Sequence, residues 1–114
     1  MSVRPWRPVI VVRAQVDPEA LPQFHRWYKR VHLPRVLSVP GIVRAYRADC
    51  HRRGVNWAAL YELRDEAAIG EAFQSQQAQA VRQDWEPWLE THVREVSVEV
   101  YAGLPPILTY HLWN

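Results

Sequence analysis

The stretch FHRWYKRVHLPRVLSVPG, residues 24–41, decides the fold because it joins a predicted helix to a turn that leads into a strand. Four apolar residues recur at helical spacing and predict a buried stripe: Leu21, Phe24, Tyr28 and Val31. His32 lies beside this stripe on the helical wheel, and Pro34 is expected to end or kink the helix. Pro40-Gly41 is a typical turn signal. The stretch therefore predicts a helix-to-strand connection with a candidate site at the end of the helix.

Predicted strands flank this stretch on both sides and give the chain its order. Apolar, β-branched runs predict four strands: residues 9–16, 42–50, 55–63 and 93–104. Asp17 is the expected N-cap of the first helix, and Asp65 is the expected N-cap of the second. The second helix is expected to be interrupted near Gly70 and the polar run after it, with a last helical turn from Asp84. The order β-α-β-β-α-β predicts an α+β, ferredoxin-like fold, in which helices cover one face of a four-stranded antiparallel sheet.

The first and last strands each alternate between an apolar face and a mixed face. The apolar faces are expected under the helices: Ile10, Val12, Ala14 and Val16 on the first strand, and Val96, Val98 and Val100 on the last. The other face of the first strand holds Val9 and Val11, which a single copy is expected to expose. A second copy packed on this face is the expected solution, as an isologous dimer. The paired sheets are then predicted to enclose a lumen lined in part by Arg13, Gln15, Ser97, Glu99 and Tyr101.

Composition and charge exclude several functional classes. Lys and Arg residues exceed Asp and Glu by two, but no basic run is longer than residues 51–53, so nucleic acid is not an expected partner. Cys50 is the only cysteine and cannot form a disulfide within the chain. Neither a signal peptide nor an apolar run long enough to span a membrane is recognised, so the expected location is cytoplasmic. Residues 1–104 are predicted to form one domain, and the apolar tail 105–114 is predicted to lie on a partner subunit or over a cavity mouth.

Several short motifs in this order resemble the dimeric α/β-barrel superfamily, and the EthD-like proteins within it. They are FHRWYKRVHLPRVLSVPGIVRAYRA at 24–48, WAALYEL at 57–63, a second helix with a late tryptophan, and a valine-rich last strand. The resemblance implies a homodimer with one small-molecule cavity per subunit. The superfamily includes cofactor-free monooxygenases of aromatic polyketides, polyketide cyclases, muconolactone isomerases and haem-dependent enzymes. The fold by itself therefore does not select a reaction.

The resemblance assigns family site residues to four positions of this chain: His32 of the H-x-P motif, Trp27 or Tyr28 before it, Tyr61 on the third strand, and Trp85 or Trp88 in the late helix. His32 is also the first chemical candidate in its own right, because imidazole gains or loses a proton near neutral pH. Tyr28 and Tyr61 are expected to assist as hydrogen-bond donors to a substrate oxygen. Six further side chains are predicted to bind the substrate: Arg13, Tyr46, Trp57, Trp85, Trp88 and Glu99.

Each candidate also has a purely structural interpretation. His32 could cap its helix, the aromatic residues could fill the core, and Arg13 could pair with Glu99. No metal site is predicted, because His25 and His32 are seven residues apart, whereas helical metal-binding histidines are usually four apart.

The predicted function is a small-molecule enzyme that needs no cofactor and acts on an apolar, aromatic or polyketide-like substrate by histidine-mediated proton transfer. Cyclisation, isomerisation and cofactor-free oxygenation all fit these residues. Two alternatives stay open. One is a non-catalytic binding or assembly protein whose lumen is filled by its own side chains, and the other is a haem-binding protein with His32 or His92 as ligand. The residues alone do not decide whether the protein is an enzyme.

Overall fold

A four-stranded antiparallel sheet carries the helices in the computed structural model, which describes residues 7–102 apart from the side chains of residues 51 and 52. The strands are β1 (Val9–Val16), β2 (Ile42–Arg52), β3 (Val55–Leu63) and β4 (Val93–Tyr101). Their spatial order is β2-β3-β1-β4, and each neighbouring pair is antiparallel. The predicted ferredoxin-like fold is therefore confirmed. The last predicted residues of the fourth strand and the tail 105–114 lie outside the described residues.

Short helical segments cover one face of this sheet. Within residues 7–102 they are α1 (Leu21–Trp27), α2 (Leu33–Leu37), α3 (Ala67–Gln74), α4 (Gln76–Asp84) and α5 (Glu86–Thr91). A 3₁₀ turn (Pro18–Ala20) precedes α1, and a π-helical turn (Tyr28–His32) joins α1 to α2. The predicted interruption of the second helix is confirmed at Ser75, where ψ is 154°. Ser75 Oγ accepts a hydrogen bond from the Ala78 N–H at 3.0 Å and so starts a new helix.

The two predicted aspartate caps have different outcomes. Asp65 does cap the second helical region, because its Oδ1 accepts a hydrogen bond from the Ala68 N–H at 3.0 Å. Asp17 occupies the predicted N-cap position, and its carbonyl accepts a hydrogen bond from the Ala20 N–H, but its side chain makes no cap hydrogen bond. Its carboxylate instead accepts a hydrogen bond from Arg94 Nε at 2.9 Å, and this ion pair joins the start of the helical layer to β4.

Glycines with positive φ make two tight turns that position the strands. Gly54, at φ +78°, closes the hairpin between β2 and β3. Because this turn is so short, β2 extends two residues beyond its predicted end at Cys50. Gly41 has φ +91°, and a Cβ at this position would lie 2.7 Å from the Ala68 side chain. The Pro-Gly turn is therefore confirmed, and its glycine lets α3 pack directly on the start of β2.

The helices cover the centre of the sheet and leave its β4 edge open. The inward-facing residues of β1 are buried as predicted: Ile10, Val12, Ala14 and Val16. On β4, Val98 and Val100 pair with Val12 and Ile10 and so lie on the helix face as predicted. They are nevertheless 55% and 38% exposed, so the expectation that the helices bury them is wrong. The opposite face of the sheet, here called the open face, holds Val11, Arg13 and Glu99. The burial of Val11 there also differs from expectation. Val11 was predicted to be exposed there but is 8% exposed, in register between Leu60 and Glu99.

Candidate active site

The π-helical turn between α1 and α2 directs His32 into the core. The Leu33 N–H donates to the Tyr28 carbonyl, five residues earlier, whereas an α-helix bonds to the residue four earlier. Pro34 is the physical reason, because proline has no N–H to donate and its ring crowds the carbonyl one turn before it. The extra residue rotates the following chain by about 100° relative to a continuous α-helix. His32 is consequently 1% exposed and Val31 is 40% exposed, so the predicted burial of Val31 is wrong.

An apolar cavity of about 230 Å³ lies between the helices and the sheet, with His32 in its wall. Aliphatic side chains form most of that wall: Ile10, Val12, Val36, Val39, Ala78 and Val81. The buried polar groups in it are His32 and Tyr61. Three exposed lining residues mark the mouth of the cavity at the β4 edge: Arg82, Leu89 and Val98. An apolar cavity of about 150 Å³ binds benzene, so this one has room for a molecule of one or two rings.

Asp84, the last residue of α4, orients the His32 ring. His32 Nδ1 lies 3.3 Å from Asp84 Oδ2. Because an ionised carboxylate can only accept a hydrogen bond, Nδ1 carries the proton and Nε2 is the basic nitrogen. Arg35 forms an ion pair with the other Asp84 oxygen. The Asp84 side chain is 11% exposed, so it is largely shielded from water. A buried aspartate in this role fixes both the tautomer and the direction of a general base.

Two tryptophans fix the plane of the His32 ring. Trp27 stacks on it with a centroid distance of 4.7 Å and an interplanar angle of 25°. Trp85 meets it edge-on at 5.5 Å and 80°. Burial lowers the pKa of His32, although the hydrogen bond to Asp84 partly opposes this shift. The imidazole is therefore neutral near pH 7 and able to accept a proton.

Tyr28 and Tyr61 form a buried hydroxyl pair in the same region. Their oxygen atoms lie 2.8 Å apart, so one hydroxyl donates to the other. Burial is the main reason that the pKa of each tyrosine is raised, strongly so for Tyr61, and both hydroxyls stay protonated at neutral pH. Tyr61 lines the cavity. When Tyr28 donates to Tyr61, the Tyr61 proton is left for a ligand oxygen.

This arrangement of sheet and helices is similar to that of many solved structures. An EthD family protein of Bacillus halodurans has a TM-score of 0.67 and 13% identity, with 85% of this chain and 99% of that chain covered. HapK of Hahella chejuensis has a TM-score of 0.66 and 14% identity, with coverages of 88% and 95%. A candidate antibiotic biosynthesis monooxygenase of Nitrosomonas europaea has a TM-score of 0.61 and 14% identity, with coverages of 93% and 98%.

The chain has the fold of the dimeric α/β-barrel superfamily. A likeness at such low sequence identity shows the fold alone, and in the fold the predicted resemblance is confirmed. No family model matches the chain, and no curated protein matches its sequence.

The sheet of this α/β-barrel fold divides the predicted site residues between its two faces. On the helix side, His32, Tyr61 and Trp85 line the cavity. Tyr28, Trp57 and Trp88 lie in the core behind them. On the open face, Arg13 forms an ion pair with Glu99, as the structural interpretation predicted, and Tyr46 is 47% exposed. The structure therefore brings together the histidine, the Tyr28–Tyr61 pair and the tryptophans. It separates them from Arg13, Glu99 and Tyr46.

Asp84 and Arg82 were not among the predicted site residues. Asp84 was interpreted as the start of the last helical turn, but it ends α4 and reaches His32 across 52 positions of sequence. One signal was present, since Asp84 is the only acidic residue between Glu71 and Glu86. An isolated acid next to a tryptophan in a helix is weak evidence on its own, and only the packing of α4 against the π-helical turn reveals its partner.

Neither a metal cluster nor a membrane-spanning helix is found in the described part of this α/β-barrel chain. Within residues 7–102, no three His, Cys, Asp or Glu side chains are arranged to hold a metal ion. In the same range, no helix has the length and apolar character needed to cross a membrane.

The lowered pKa of His32 predicts how the stability of this domain depends on pH. The folded protein disfavours the protonated ring, so the pKa of His32 is lower when folded than when unfolded. The contribution of His32 to the free energy of unfolding is fully present above about pH 6.5, which is the pKa of histidine in the unfolded chain. It is lost as the pH falls through the folded pKa, because the unfolded state then binds the extra proton.

Urea unfolding between pH 8 and pH 5 measures this effect, with His32→Gln as the control that removes only this histidine. We expect the difference in unfolding free energy between the two proteins to change below about pH 6.5, and NMR titration should give a His32 pKa below that value. A pKa at or above the unfolded value would contradict the prediction.

Proposed function

We propose that the protein is a small-molecule enzyme in which His32 moves a proton on an apolar, aromatic or polyketide-like substrate. The observation that carries this proposal is a buried histidine, oriented by Asp84, in the wall of an apolar cavity that opens to solvent. A cavity histidine that is neutral at working pH and has one nitrogen fixed by a carboxylate is suited to act as a general base.

The geometry supports a simple proton-transfer cycle. His32 Nε2 takes a proton from an acidic C–H or phenolic O–H of the substrate, leaving an enolate or phenolate. Nδ1–H stays hydrogen-bonded to Asp84, whose negative charge stabilises the imidazolium. Tyr61 donates a hydrogen bond to the substrate oxygen on which negative charge gathers. The imidazolium then returns the proton, either to another carbon in an isomerisation or to the alkoxide formed when the enolate attacks a carbonyl in a cyclisation.

Cofactor-free oxygenation begins with the same deprotonation, because a phenolate or enolate reacts with dioxygen more readily than its neutral acid does. The fold is shared with proteins described as monooxygenases, among them a candidate from Shewanella loihica with a TM-score of 0.62. This likeness supports the enzyme class and leaves the choice between oxygenation, isomerisation and cyclisation to experiment.

A homodimer formed through the open face, and a cytoplasmic location, remain part of the proposal. Tyr46 and Tyr101 are large, exposed side chains on that face, which suits burial against a second copy. Sedimentation of the purified protein tests it, and a mass of 13.4 kDa would rule the dimer out.

The haem alternative is weaker than the cofactor-free one. Pockets for drug-sized ligands span about 300–1,000 Å³, and this cavity measures about 230 Å³. His92 lies outside the residues that line it. The residues present therefore fit a one- or two-ring substrate better than a macrocycle as large as haem, and no step of the proposed cycle involves haem.

Ligand binding followed by isotope exchange tests the proposed function. Thermal unfolding would be measured with a panel of planar phenols, lactones, short polyketide mimics and haem, since a ligand that binds only the folded state raises the midpoint. Each ligand that binds would then be incubated in D₂O, with NMR to follow deuterium at carbon and an electrode to follow dioxygen uptake. Exchange or uptake above the rate without protein is the expected result. Binding without either would favour the non-catalytic alternative, and no binding would contradict the proposal.

A further inference from the structure

We propose that the cavity selects an aromatic carboxylate and that Arg82 holds its anionic group at the mouth. This inference rests on the proposed function, because it names the class of substrate that would enter the same cavity. Arg82 would be a specificity-determining residue, since it would contact the substrate at the end away from His32.

Arg82 is the only residue with a permanent charge among the described residues that line the cavity. It lies on α4, three residues before Trp85, which directly follows the last residue of this helix. Residues at this spacing share a helix face. Trp85 in turn contacts the His32 ring. The face of α4 that carries Arg82 therefore forms part of the cavity wall, and Arg82 is one of the exposed residues of that wall.

The guanidinium of Arg82 has unused hydrogen-bonding capacity. Its one hydrogen bond within residues 7–102 is long, from Nη1 to the Phe73 carbonyl at 3.5 Å, and it takes part in none of the ion pairs of that range. Arg35 and Arg13, by contrast, each pair with a carboxylate. Arginine presents a planar set of donors that matches a carboxylate with two parallel hydrogen bonds. Arg82 is thus the described cavity residue best suited to bind an anion.

The interior of the cavity determines which end of the substrate stays outside. Its walls are mostly aliphatic, and its buried ionisable side chains, His32 and Tyr61, are neutral at pH 7. A carboxylate would lose its hydration there without gaining a counter-charge, which is unfavourable. The aromatic body would therefore enter the cavity while the carboxylate stays beside Arg82. This orientation would bring the far end of the ring system to the buried wall that holds His32.

Binding of a matched pair of probes tests this inference. The probes are 2-naphthoate and its neutral analogue 2-naphthamide, and quenching of tryptophan fluorescence measures their dissociation constants for the purified protein. We expect 2-naphthoate to bind about threefold to tenfold more tightly than 2-naphthamide, as a solvent-exposed, charge-assisted contact allows. The preference should disappear in Arg82→Gln and shrink in 1 M salt. It should persist in Arg26→Gln, which removes an exposed arginine of α1 that does not line the cavity.

The outcomes separate this inference from the proposed function. Equal binding of both probes to the wild-type protein, or an unchanged preference in Arg82→Gln, would overturn the role of Arg82 and leave the role of His32 standing. Failure of both probes to bind would overturn the inference together with the proposed use of the cavity. Circular dichroism of the two variants checks that each retains the fold, and both positions are exposed, so we expect no change.

Discussion

Replacing His32 with alanine should lower the turnover number on any substrate found in the ligand panel by about 10²-fold to 10⁴-fold, the usual contribution of a general base. The reason is that, among the described residues, the cavity is lined by no other histidine and by no cysteine, aspartate or glutamate. The Michaelis constant should change much less, because the aliphatic wall that binds the substrate stays in place. Steady-state kinetics on the purified variant measure both quantities.

His25→Ala is the matched control for this experiment. His25 also lies on the first helix and is half-buried, but it does not line the cavity, so its replacement should leave turnover within about twofold of the wild-type value. Near-ultraviolet circular dichroism checks that His32→Ala keeps its aromatic packing. Wild-type turnover in a folded His32→Ala protein would eliminate this histidine as the base.

Replacing Trp57 with alanine should reduce the free energy of unfolding by about 3–5 kcal/mol, the range for a buried tryptophan. Trp57 has no exposed surface. Its ring lies 4.9 Å from Tyr28 and 5.1 Å from Phe24, both edge-to-face. Such a loss is a large part of the total of about 5–15 kcal/mol expected for a domain. Urea unfolding monitored by far-ultraviolet circular dichroism measures it.

Trp57→Phe is the informative comparison, because the indole N–H of Trp57 is buried and has no hydrogen-bond partner among the described residues. An unpaired buried donor costs about 1–3 kcal/mol. Phenylalanine keeps most of the ring contacts and removes this donor, so its loss of stability should be less than half that of alanine. Equal losses in the two variants would contradict this prediction.

Local sequence patterns predicted the fold well, because the elements have strong signals of their own. The alternation in β1, the Pro-Gly turn at Gly41 and the helix before His32 all correspond to elements of the structure. The interruption at Ser75 was also expected from composition. These features are determined by residues close together in the sequence, and secondary-structure propensity and hydrophobic periodicity describe such local effects.

The candidate site was predicted only in part, because its decisive contacts join distant segments. His32 was recognised from its chemistry and its place on the helix, and the predicted residues Tyr28 and Tyr61 form a buried pair near it. The Asp84 partner and the position of the cavity depend on how α4 packs over the sheet, which no local pattern specifies. Alternation in β1 and β4 also does not say which face of the sheet encloses a cavity, so Arg13 and Glu99 were grouped with residues that lie on the other face.

The π-helical turn from Tyr28 to His32 has a consequence for comparing this chain with others of the same fold. One residue is inserted in the helix without any loop to mark it, so residues after the turn are out of phase with those of an uninterrupted helix. Column-by-column alignment to a chain with a straight helix would match His32 to a position about 100° away from the inward-facing one. A gap of one residue in this turn restores the match of inward-facing positions. Identifying a cavity base in distant homologues therefore requires three-dimensional superposition of the helix.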